Sequence, residues 1–538
     1  MVRALSASLA IGTLIALVGL SAPGAAADTR PPTGIPATVS VDALPTWQIN
    51  GVVWDTVTVG NIVYATGNFS RARPPGTKAG DPAQVTRRNL LAFDLRTGVV
   101  TSFRHDLNAQ GRRVVASPDG KTLYVGGDFT TVDGHAHQRL AAVNLTTGTL
   151  KSGFKPKVNS VVRAIAATGS AVYLGGDFTS VGGKAHSRLA AVRATTGTPY
   201  KWAAAADRAV YALAMVPGNK RVIVGGRFQK LNGKKKVGVG ALSATTGKPA
   251  KWTSRPIPDR KDATHFSYVT DLIVSGSTVY GTADGESLHW FDGRFAAKAS
   301  NGNLIWLDNC YGATYSGFAR GQVFYSVGHA HDCRSVKAFP ETKPRSYHRA
   351  LAETTYATGK DTTAKSVNSH YSKQPVPSLL HWFPTLNTGT FTGQHQGAWA
   401  ITGNASYVAL AGEFTKVNGK AQQGLTRFAS SAGAPNKVGP VASAGLVPKV
   451  SSTERGVVHV TYKRTWDQDN TLLTYEISRD GTLVHSGRAK SNFWSLKGLS
   501  FDDRGLVVGS THTYKITVKD PFTNTRYSAS SNSVTVHG

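Results

Sequence analysis

The chain has 538 residues, with 61 Lys and Arg against 31 Asp and Glu, which gives a formal net charge of +30 at pH 7. This length predicts more than one domain. Beyond the N-terminal residues, no stretch approaches the roughly 18 apolar residues of a membrane-spanning helix, so a helical membrane span is excluded. The positive charge favours acidic polymers as partners and carries no information about the fold.

Residues 1–27 have the pattern of a secretory signal peptide. One early charge, Arg3, precedes an apolar run over residues 9–20, and small residues end at Ala27. This pattern predicts export. The mature protein is therefore expected to be secreted, either extracellular or associated with the cell wall.

Residues 28–431 are predicted to form a seven-bladed β-propeller. A unit of about 50 residues recurs, in which four short strands can be read and the second ends in Gly-Gly-Asp-Phe or a variant of it. The glycines are expected to permit a turn with positive φ, and the Phe to fill a gap between blades. Six or eight blades remain possible, because the fifth and sixth units are irregular and an insertion is expected at about 337–394. The seven units are marked by Phe69, Phe129, Phe178, Phe228, Tyr280, Phe324 and Phe414.

A propeller must close its ring, since an open ring leaves an unpaired sheet edge. The last unit stops after its third strand, and the segment around Trp47 resembles the outer strand of the third unit, which ends at Trp202. We expect the N-terminal segment near Trp47 to supply the outer strand of the last blade.

The composition changes after the linker at residues 432–440. Residues 441–538 contain short alternating strands with an Asp480-Gly481 hairpin signal, which predicts an immunoglobulin-like β-sandwich. Trp466, Trp494 and Tyr514 are expected to form its core. The predicted fold class is therefore all-β, a propeller followed by a sandwich.

Several motifs together resemble one family. The repeated Gly-Gly-Asp-Phe-Thr-x-Val-x-Gly, the segment 328–333 and the closing segment 412–425 are similar to secreted actinobacterial β-propeller proteins whose repeats form a domain of unknown function. The resemblance covers about residues 45–430. Residues 441–538 resemble a fibronectin type III domain. The resemblance implies a fold and a location, and no settled activity.

Cysteine, histidine and aspartate residues give candidate disulfide and metal sites. Cys310 and Cys333 are the only cysteines, and a structural disulfide is expected in an oxidising exterior, with two free thiols as the alternative. His329, His331 and Asp332 are candidate metal ligands, but no complete ligand set accompanies them, and a turn at a blade edge is the alternative. Asp467-Gln468-Asp469-Asn470 lacks the Gly and distal Glu of a calcium loop and fits a connecting turn. No cofactor or metal is expected.

Charged residues give two further candidate sites. Glycoside hydrolysis needs two carboxylates across a cleft, and four acids depart from the repeat pattern, each also explained by a solvated loop: Asp284, Glu286, Asp292 and Glu341. The other site is a basic stretch that is either a polyanion contact or a solvated rim. Its candidate residues are Lys230, Lys234, Lys235, Lys236, Lys248 and Lys251.

These observations predict a non-catalytic binding platform for an extracellular glycan, a wall polymer or another polyanion. Nucleic acid is a possible but unspecific partner. The alternatives are an extracellular polysaccharide hydrolase or lyase, and a protein–protein scaffold. Serine-hydrolase elbows, P-loops and Rossmann fingerprints are absent from the sequence.

Overall fold

A computed structural model describes residues 31, 33–286, 290–363, 371–430 and 433–538, without the side chain of Glu286. The predicted signal peptide lies outside these residues. Among them, every regular element is a β-strand except two short 3-10 helices, Arg334–Val336 and Ala444–Leu446. The predicted all-β class is confirmed. No helix in the described ranges is long and apolar enough to cross a membrane.

Small antiparallel sheets, here called A to G, follow one another between residues 52 and 429. The strands of sheets A to D are Val52–Val59, Ile62–Asn68 and Leu90–Asp94 (A); Gly111–Ala116, Thr122–Gly127, Leu140–Asn144 and Thr149–Leu150 (B); Val162–Ala167, Ala171–Gly176 and Leu189–Arg193 (C); and Val210–Met215, Arg221–Gly226, Val239–Ser243 and Pro249–Ala250 (D). Those of sheets E to G are Phe266–Ser275, Thr278–Glu286, Arg294–Lys298 and Leu304–Asp308 (E); Thr314–Arg320, Val323–Ala330 and His348–Thr354 (F); and Ala398–Gly403, Tyr407–Gly412 and Leu425–Ala429 (G).

The sheets are arranged around a common centre. The first strand of each sheet packs on the first strand of the next, and the first strand of sheet G packs on that of sheet A. The arrangement is propeller-like, with one sequence repeat for each sheet. Smaller two- and three-stranded elements lie beside these sheets, formed by Gln48–Ile49, Arg71–Arg73 and Val85–Thr86; Thr131–Val132 and His135–Ala136; Ser180–Val181 and Lys184–Ala185; Lys230–Leu231 and Lys234–Lys235; Gly359–Lys360 and Pro375–Val376; and Lys416–Val417 and Lys420–Ala421.

The Gly-Gly pairs of the repeat are needed for close packing between sheets. A Cβ added to Gly126 would lie 2.7 Å from Val162 Cγ1 of the next sheet, and one added to Gly175 would lie 2.5 Å from Val210 Cγ1. Neither glycine has a positive φ, so the expected turn conformation is wrong at these positions. The Phe after the motif is buried as expected, and Phe178 is fully enclosed.

Replacement of Gly175 by Ala is expected to lower the free energy of unfolding by about 1–3 kcal/mol, because the new methyl group overpacks against Val210. Gly169→Ala is the matched control, since a Cβ there meets nothing within 4 Å. Denaturant unfolding of both variants checks this. Equal stabilities for the two variants would contradict the close-packing explanation.

The N-terminal segment lies along the outer edge of sheet G. Ser40 N donates to Ala429 O (3.0 Å), and Leu44 pairs with Arg427. Trp47 lies just beyond this pairing: its N–H donates to Gly98 O (2.9 Å), and its ring packs on the core of sheet A. The contact with sheet G is therefore made a few residues before Trp47.

The expected single insertion at 337–394 is corrected by the structure. His348–Thr354, inside that range, is the third strand of sheet F. Leu379 pairs with Glu353 of that strand. The additional residues are therefore divided between two loops of sheet F and the connection to sheet G.

Residues 449–535 form two further sheets that share one core. Their strands are Lys449–Glu454, Val457–Lys463 and Gly498–Arg504 in one sheet, Thr482–Lys490, Leu472–Arg479, Tyr514–Lys519 and Thr525–Tyr527 in the other, and the short pair Thr511–His512 and Val534–Thr535. The Asp480-Gly481 hairpin joins Leu472–Arg479 to Thr482–Lys490.

Of the three aromatic residues assigned to this core, only Tyr514 belongs to it. Its hydroxyl donates to Asp503 Oδ2 at 2.9 Å. Trp466 and Trp494 instead pack with Phe493 against the propeller-like part, where Phe339 and Phe383 contact Phe493 at centroid distances of 5.5 and 5.2 Å. The tryptophans therefore hold the two parts of the chain together.

Candidate functional site

The first strand of every sheet from A to G carries a β-bulge at the same position. At each bulge one residue has no partner in the register of the second strand. A bulge turns its extra side chain away from the regular alternation of the strand. We call these residues the bulge ring: Trp54, Arg112, Arg163, Tyr211, Thr270, Tyr315 and Trp399.

All members of the bulge ring line one cavity of about 300 Å³, here called the mouth cavity. Its aromatic rings form two groups of contacts. Trp399 lies between Trp54 (5.1 Å between centroids) and Tyr315 (4.2 Å), and Tyr211 packs on Tyr268 (5.4 Å). The five rings are partly exposed, so they offer a broad apolar surface inside a polar depression.

Two arginines of the ring stack on these aromatic residues. The guanidinium of Arg112 lies 5.2 Å from the centroid of Trp54, and that of Arg163 lies 5.5 Å from the centroid of Tyr211. Cations in this position are attracted by the ring face. The contacts fix both the arginines and the rings.

In sheets B and C, the residue after the Gly-Gly pair supports the bulge residue of its own sheet. Asp128 Oδ2 accepts from Nε and Nη2 of Arg112 at 3.1 and 3.0 Å. Asp177 Oδ2 accepts from Nε of Arg163 at 2.8 Å. The repeated Asp of the sequence motif is therefore a positioning residue.

Other side chains take the same place in the less regular sheets. Glu413 Oε1 accepts from Trp399 Nε1 at 3.2 Å. Asp284 accepts a short hydrogen bond from the hydroxyl of Tyr268. The side chain at this position therefore differs from sheet to sheet, according to the residue to which it hydrogen-bonds.

His329, predicted as a candidate metal ligand, occupies this position in sheet F. Its Nδ1 lies 3.0 Å from the Tyr315 hydroxyl, and its Nε2 accepts from Ala313 N at 3.3 Å. Burial, together with the nearby His331, lowers the pKa of His329 to about 4. The ring is neutral at pH 7, and both of its nitrogens have partners within the protein.

The other two candidate ligands face different partners. His331 Nδ1 lies 3.3 Å from Glu341 Oε1, and Asp332 forms an ion pair with Arg334. Among the described residues, three His, Cys, Asp or Glu side chains come together as a potential metal-binding group only at Asp308, Cys310 and Glu353. There Cys310 is bonded to Cys333, and Arg294 lies 2.8 Å from Asp308 and 3.5 Å from Glu353. The expected disulfide is confirmed.

An ion-pair network, here called the Arg113 network, forms the floor of the mouth cavity. Arg113 of sheet B lies 3.4 Å from Asp55 of sheet A and 2.7 Å from Asp271 of sheet E. Ser316 of sheet F donates to Asp271 at 2.8 Å. The network therefore ties sheets A, B, E and F together across the centre.

Burial dominates the electrostatics of this network. It raises the pKa of Asp55 to about 6, although the Arg113 charge opposes the shift. Burial alone would lower the pKa of Arg113, but the carboxylates of Asp271 and Asp55 outweigh it and raise this pKa. Arg113 therefore stays charged, and the pKa of Asp55 lies well above the usual range of an aspartate.

Asp55 is expected to make the protein less stable as pH rises from about 4 to 6. Over this range the folded state keeps the proton of Asp55 while the unfolded state releases it, so stability present below pH 4 is lost towards pH 6. The rise in the pKa of Asp55 from 3.8 to about 6 corresponds to a change of about 3 kcal/mol in the free energy of unfolding. Asp55→Asn should remove this dependence, measured by denaturant unfolding at pH 4, 5, 6 and 7.

Glu454→Gln, which changes an exposed acid of the C-terminal sheets, serves as the control and should keep the wild-type profile. Parallel pH profiles for wild type and Asp55→Asn would show that Asp55 does not titrate in this range.

The candidate hydrolytic acids do not gather in the mouth cavity. Only Asp284 lines it. Asp292 accepts from the backbone N–H groups of Gly312 (2.9 Å) and Gly285 (3.3 Å), and burial followed by the nearby Asp284 raises its pKa well above the usual range. Glu341 pairs with Arg345. The side chain of Glu286 lies outside the described residues.

The candidate lysines divide into two kinds. Lys236 Nζ donates to Trp252 O at 2.8 Å, and burial lowers its pKa. Lys235 pairs with Asp259 at 2.5 Å. The other four are exposed and make no ion pair within the part of the chain that the structure describes: Lys230, Lys234, Lys248 and Lys251.

The bulge ring was not found as a site from the sequence. Its members occupy one position of the repeat, at the bulge of the first strand, but their side chains differ from unit to unit. A comparison of that variable position across the units, rather than of the constant residues, would have found it.

Comparisons with known proteins give no family. No protein-family model matches the chain, and no curated protein is similar to it in sequence. Among solved structures, a Niastella koreensis GH74 enzyme is similar to 89% of this chain at 10% identity with a TM-score of 0.37, and the chain spans 65% of that enzyme. A complex of KlAtg21 with the coiled coil of AgAtg16 matches 70% of this chain and 98% of its own at 10% identity, with a TM-score of 0.31. Neither similarity is strong enough to indicate a function for this chain.

Proposed function

We propose that this chain is a secreted, non-catalytic protein that binds glycan chains in the mouth cavity. The observation that carries the proposal is the bulge ring, in which Trp54, Tyr211, Tyr315 and Trp399 present aromatic surface to one cavity. The C–H faces of sugar rings can pack on such surfaces, and nearby polar groups can bind their hydroxyls. Because the rings are held by neighbouring residues, little side-chain entropy is lost on binding.

The charges around the cavity favour a neutral or weakly charged glycan over a polyanion. Arg112, Arg113 and Arg163 line the cavity together with Asp55, Asp271 and Asp284, which is three cationic against three acidic side chains. Each of the three arginines already contacts a carboxylate. The net positive charge of the protein is therefore not concentrated here.

The wider architecture is part of the same proposal. Sheets A to G are the blades of a seven-bladed propeller, residues 441–538 are a fibronectin type III domain, and the chain belongs to the secreted actinobacterial proteins that its motifs resemble. The contacts of Ser40 and Leu44 with sheet G support ring closure by the N-terminal segment.

Deletion of residues 28–46 is expected to lower the thermal midpoint of the whole propeller, because sheet G would lose its outer edge. Differential scanning calorimetry measures this. An unchanged midpoint would refute closure by this segment.

Binding is tested with a panel of neutral and acidic oligosaccharides at low and moderate salt. Trp54→Ala and Tyr211→Ala should each weaken glycan binding about fivefold, since an aromatic contact contributes about 1 kcal/mol. Tyr527→Ala, which truncates an exposed tyrosine of the C-terminal sheets, should leave the affinity unchanged. Binding to a neutral glycan should depend little on salt.

Two outcomes would contradict non-catalytic binding of a neutral glycan in the mouth cavity. Release of oligosaccharide products that stops in Asp284→Asn would establish hydrolysis or lysis in place of binding. Salt-sensitive retention of acidic polymers alone, lost when Lys230, Lys234, Lys248 and Lys251 are changed to Gln, would assign binding to the exposed lysines. Neither result is expected if the mouth cavity binds a neutral glycan without cleaving it.

A further inference from the structure

The turn Asp467–Asn470 brings buried carboxylates to the junction between the C-terminal sheets and the propeller-like part. Asp467 is fully buried and Asp469 is 2% exposed. Asp469 Oδ2 accepts from Val41 N at 2.9 Å and from Ser40 Oγ at 3.2 Å. The turn therefore contacts the same N-terminal segment that lies along sheet G.

Two oxygen atoms of this turn are buried without a hydrogen-bond donor. They are Asp467 Oδ2 and Asn470 Oδ1, and Asn470 is only 2% exposed. The three side chains are in contact, because Asn470 Nδ2 donates to Asp469 Oδ1 at 2.7 Å and to Asp467 Oδ1 at 3.4 Å. A buried oxygen without a donor is costly, so the turn needs another partner.

The turn also lacks a cationic partner. No Lys, Arg or His of the described chain forms an ion pair with Asp467 or Asp469, nor with the nearby Asp42 and Asp520. Burial and the Asp469 carboxylate raise the pKa of Asp467 well above its usual range. Burial raises the pKa of Asp469 to about 6. In a protein with a net charge of +30, such a group of unpaired buried acids is unusual.

The ligand chemistry of the turn identifies the kind of cation. The side chains of the turn offer carboxylate and amide oxygens and no thiolate. Rotation of the Asn470 amide would bring its Oδ1 to the place where Nδ2 now faces the two carboxylates. The ring of His381 donates its Nε2 hydrogen to Asp467 O. Hard cations prefer oxygen ligands, and Ca²⁺ takes six to eight of them in flexible geometry with water at the remaining positions. Unlike an EF-hand loop, this turn offers three ligand side chains, and the N-terminal segment holds one of them by donating hydrogen bonds to Asp469.

We propose that Asp467, Asp469 and Asn470 bind one Ca²⁺ ion at this junction. The ion satisfies the two buried oxygens and neutralises the adjacent carboxylates. Through Asp469 it also holds the turn against Ser40 and Val41. Calcium therefore stabilises the attachment of the C-terminal sheets and the N-terminal segment together.

Calorimetric titration of the EGTA-treated and dialysed full chain with CaCl₂ tests the site. One ion should bind per chain, with a Kd of about 0.1–1 mM as in extracellular calcium modules. Calcium should also raise the thermal midpoint by several degrees over that in EGTA. Asp467→Asn and Asp469→Asn should each weaken binding at least about tenfold.

Asp502→Asn is the control, since Asp502 is an acid of the same sheets that pairs with His459 and Arg504. It should bind Ca²⁺ as wild type does. Absence of binding by the wild-type chain up to about 5 mM Ca²⁺, well above that range, would show that Asp467 and Asp469 share a proton instead. Binding that survives in both Asp467→Asn and Asp469→Asn would place the ion elsewhere, and either result overturns the proposal.

Discussion

The β-bulge at the start of each first strand is the constraint on which the rest of this structure depends. A regular strand places successive side chains on opposite faces. By inserting one extra residue, the bulge turns a side chain towards the centre, while the residue before it still packs on the preceding sheet, as Val162, Val210 and Val269 do. The Gly-Gly pair of the preceding sheet is small enough to receive that valine, as at Gly175 and Val210. Close packing and the central ring of side chains therefore have the same origin.

The repeat explains why different side chains can occupy one ring. The bulge fixes the position of the backbone, so the residue at that place can be Trp, Arg, Tyr or Thr without a change in the sheet. The residue that follows the second strand's Gly-Gly pair, or its equivalent, differs with the bulge residue that it binds. Asp128 binds Arg112, and Glu413 binds Trp399. The repeated scaffold thus allows an asymmetric cavity, while the Arg113 network holds the sheets together beneath it.

Much of the fold could be predicted from the sequence, because strands, hairpins and repeats have local signals. The third repeat, the Asp480-Gly481 hairpin and the Cys310–Cys333 bond are examples. The roles of single residues were harder to predict from the sequence, since they depend on contacts between distant segments. The sequence pattern predicts Trp466 in a sandwich core, but Trp466 packs at the junction. His329 is a candidate metal ligand by its spacing to His331, whereas in the structure it contacts Tyr315 of the neighbouring strand and Ala313, which lies just before that strand.

The mouth cavity was the least predictable part of the structure, because its residues come from distant segments and differ from repeat to repeat. A binding surface built on a repeat lies at the variable position, whereas motif analysis selects constant residues such as the Asp of Gly-Gly-Asp-Phe. That Asp proves to be a positioning residue. The charge was also a poor indicator, because it is balanced in the mouth cavity while exposed lysines lie elsewhere.

The central claim is that the bulge ring is the surface that binds glycan. A crystal structure of the protein with a bound neutral oligosaccharide tests it most directly. We expect intact sugar rings packed on Trp54, Trp399 or Tyr211 above the Arg113 network. Sugar bound only at the exposed lysines or on the C-terminal sheets, with an empty mouth cavity, would contradict it.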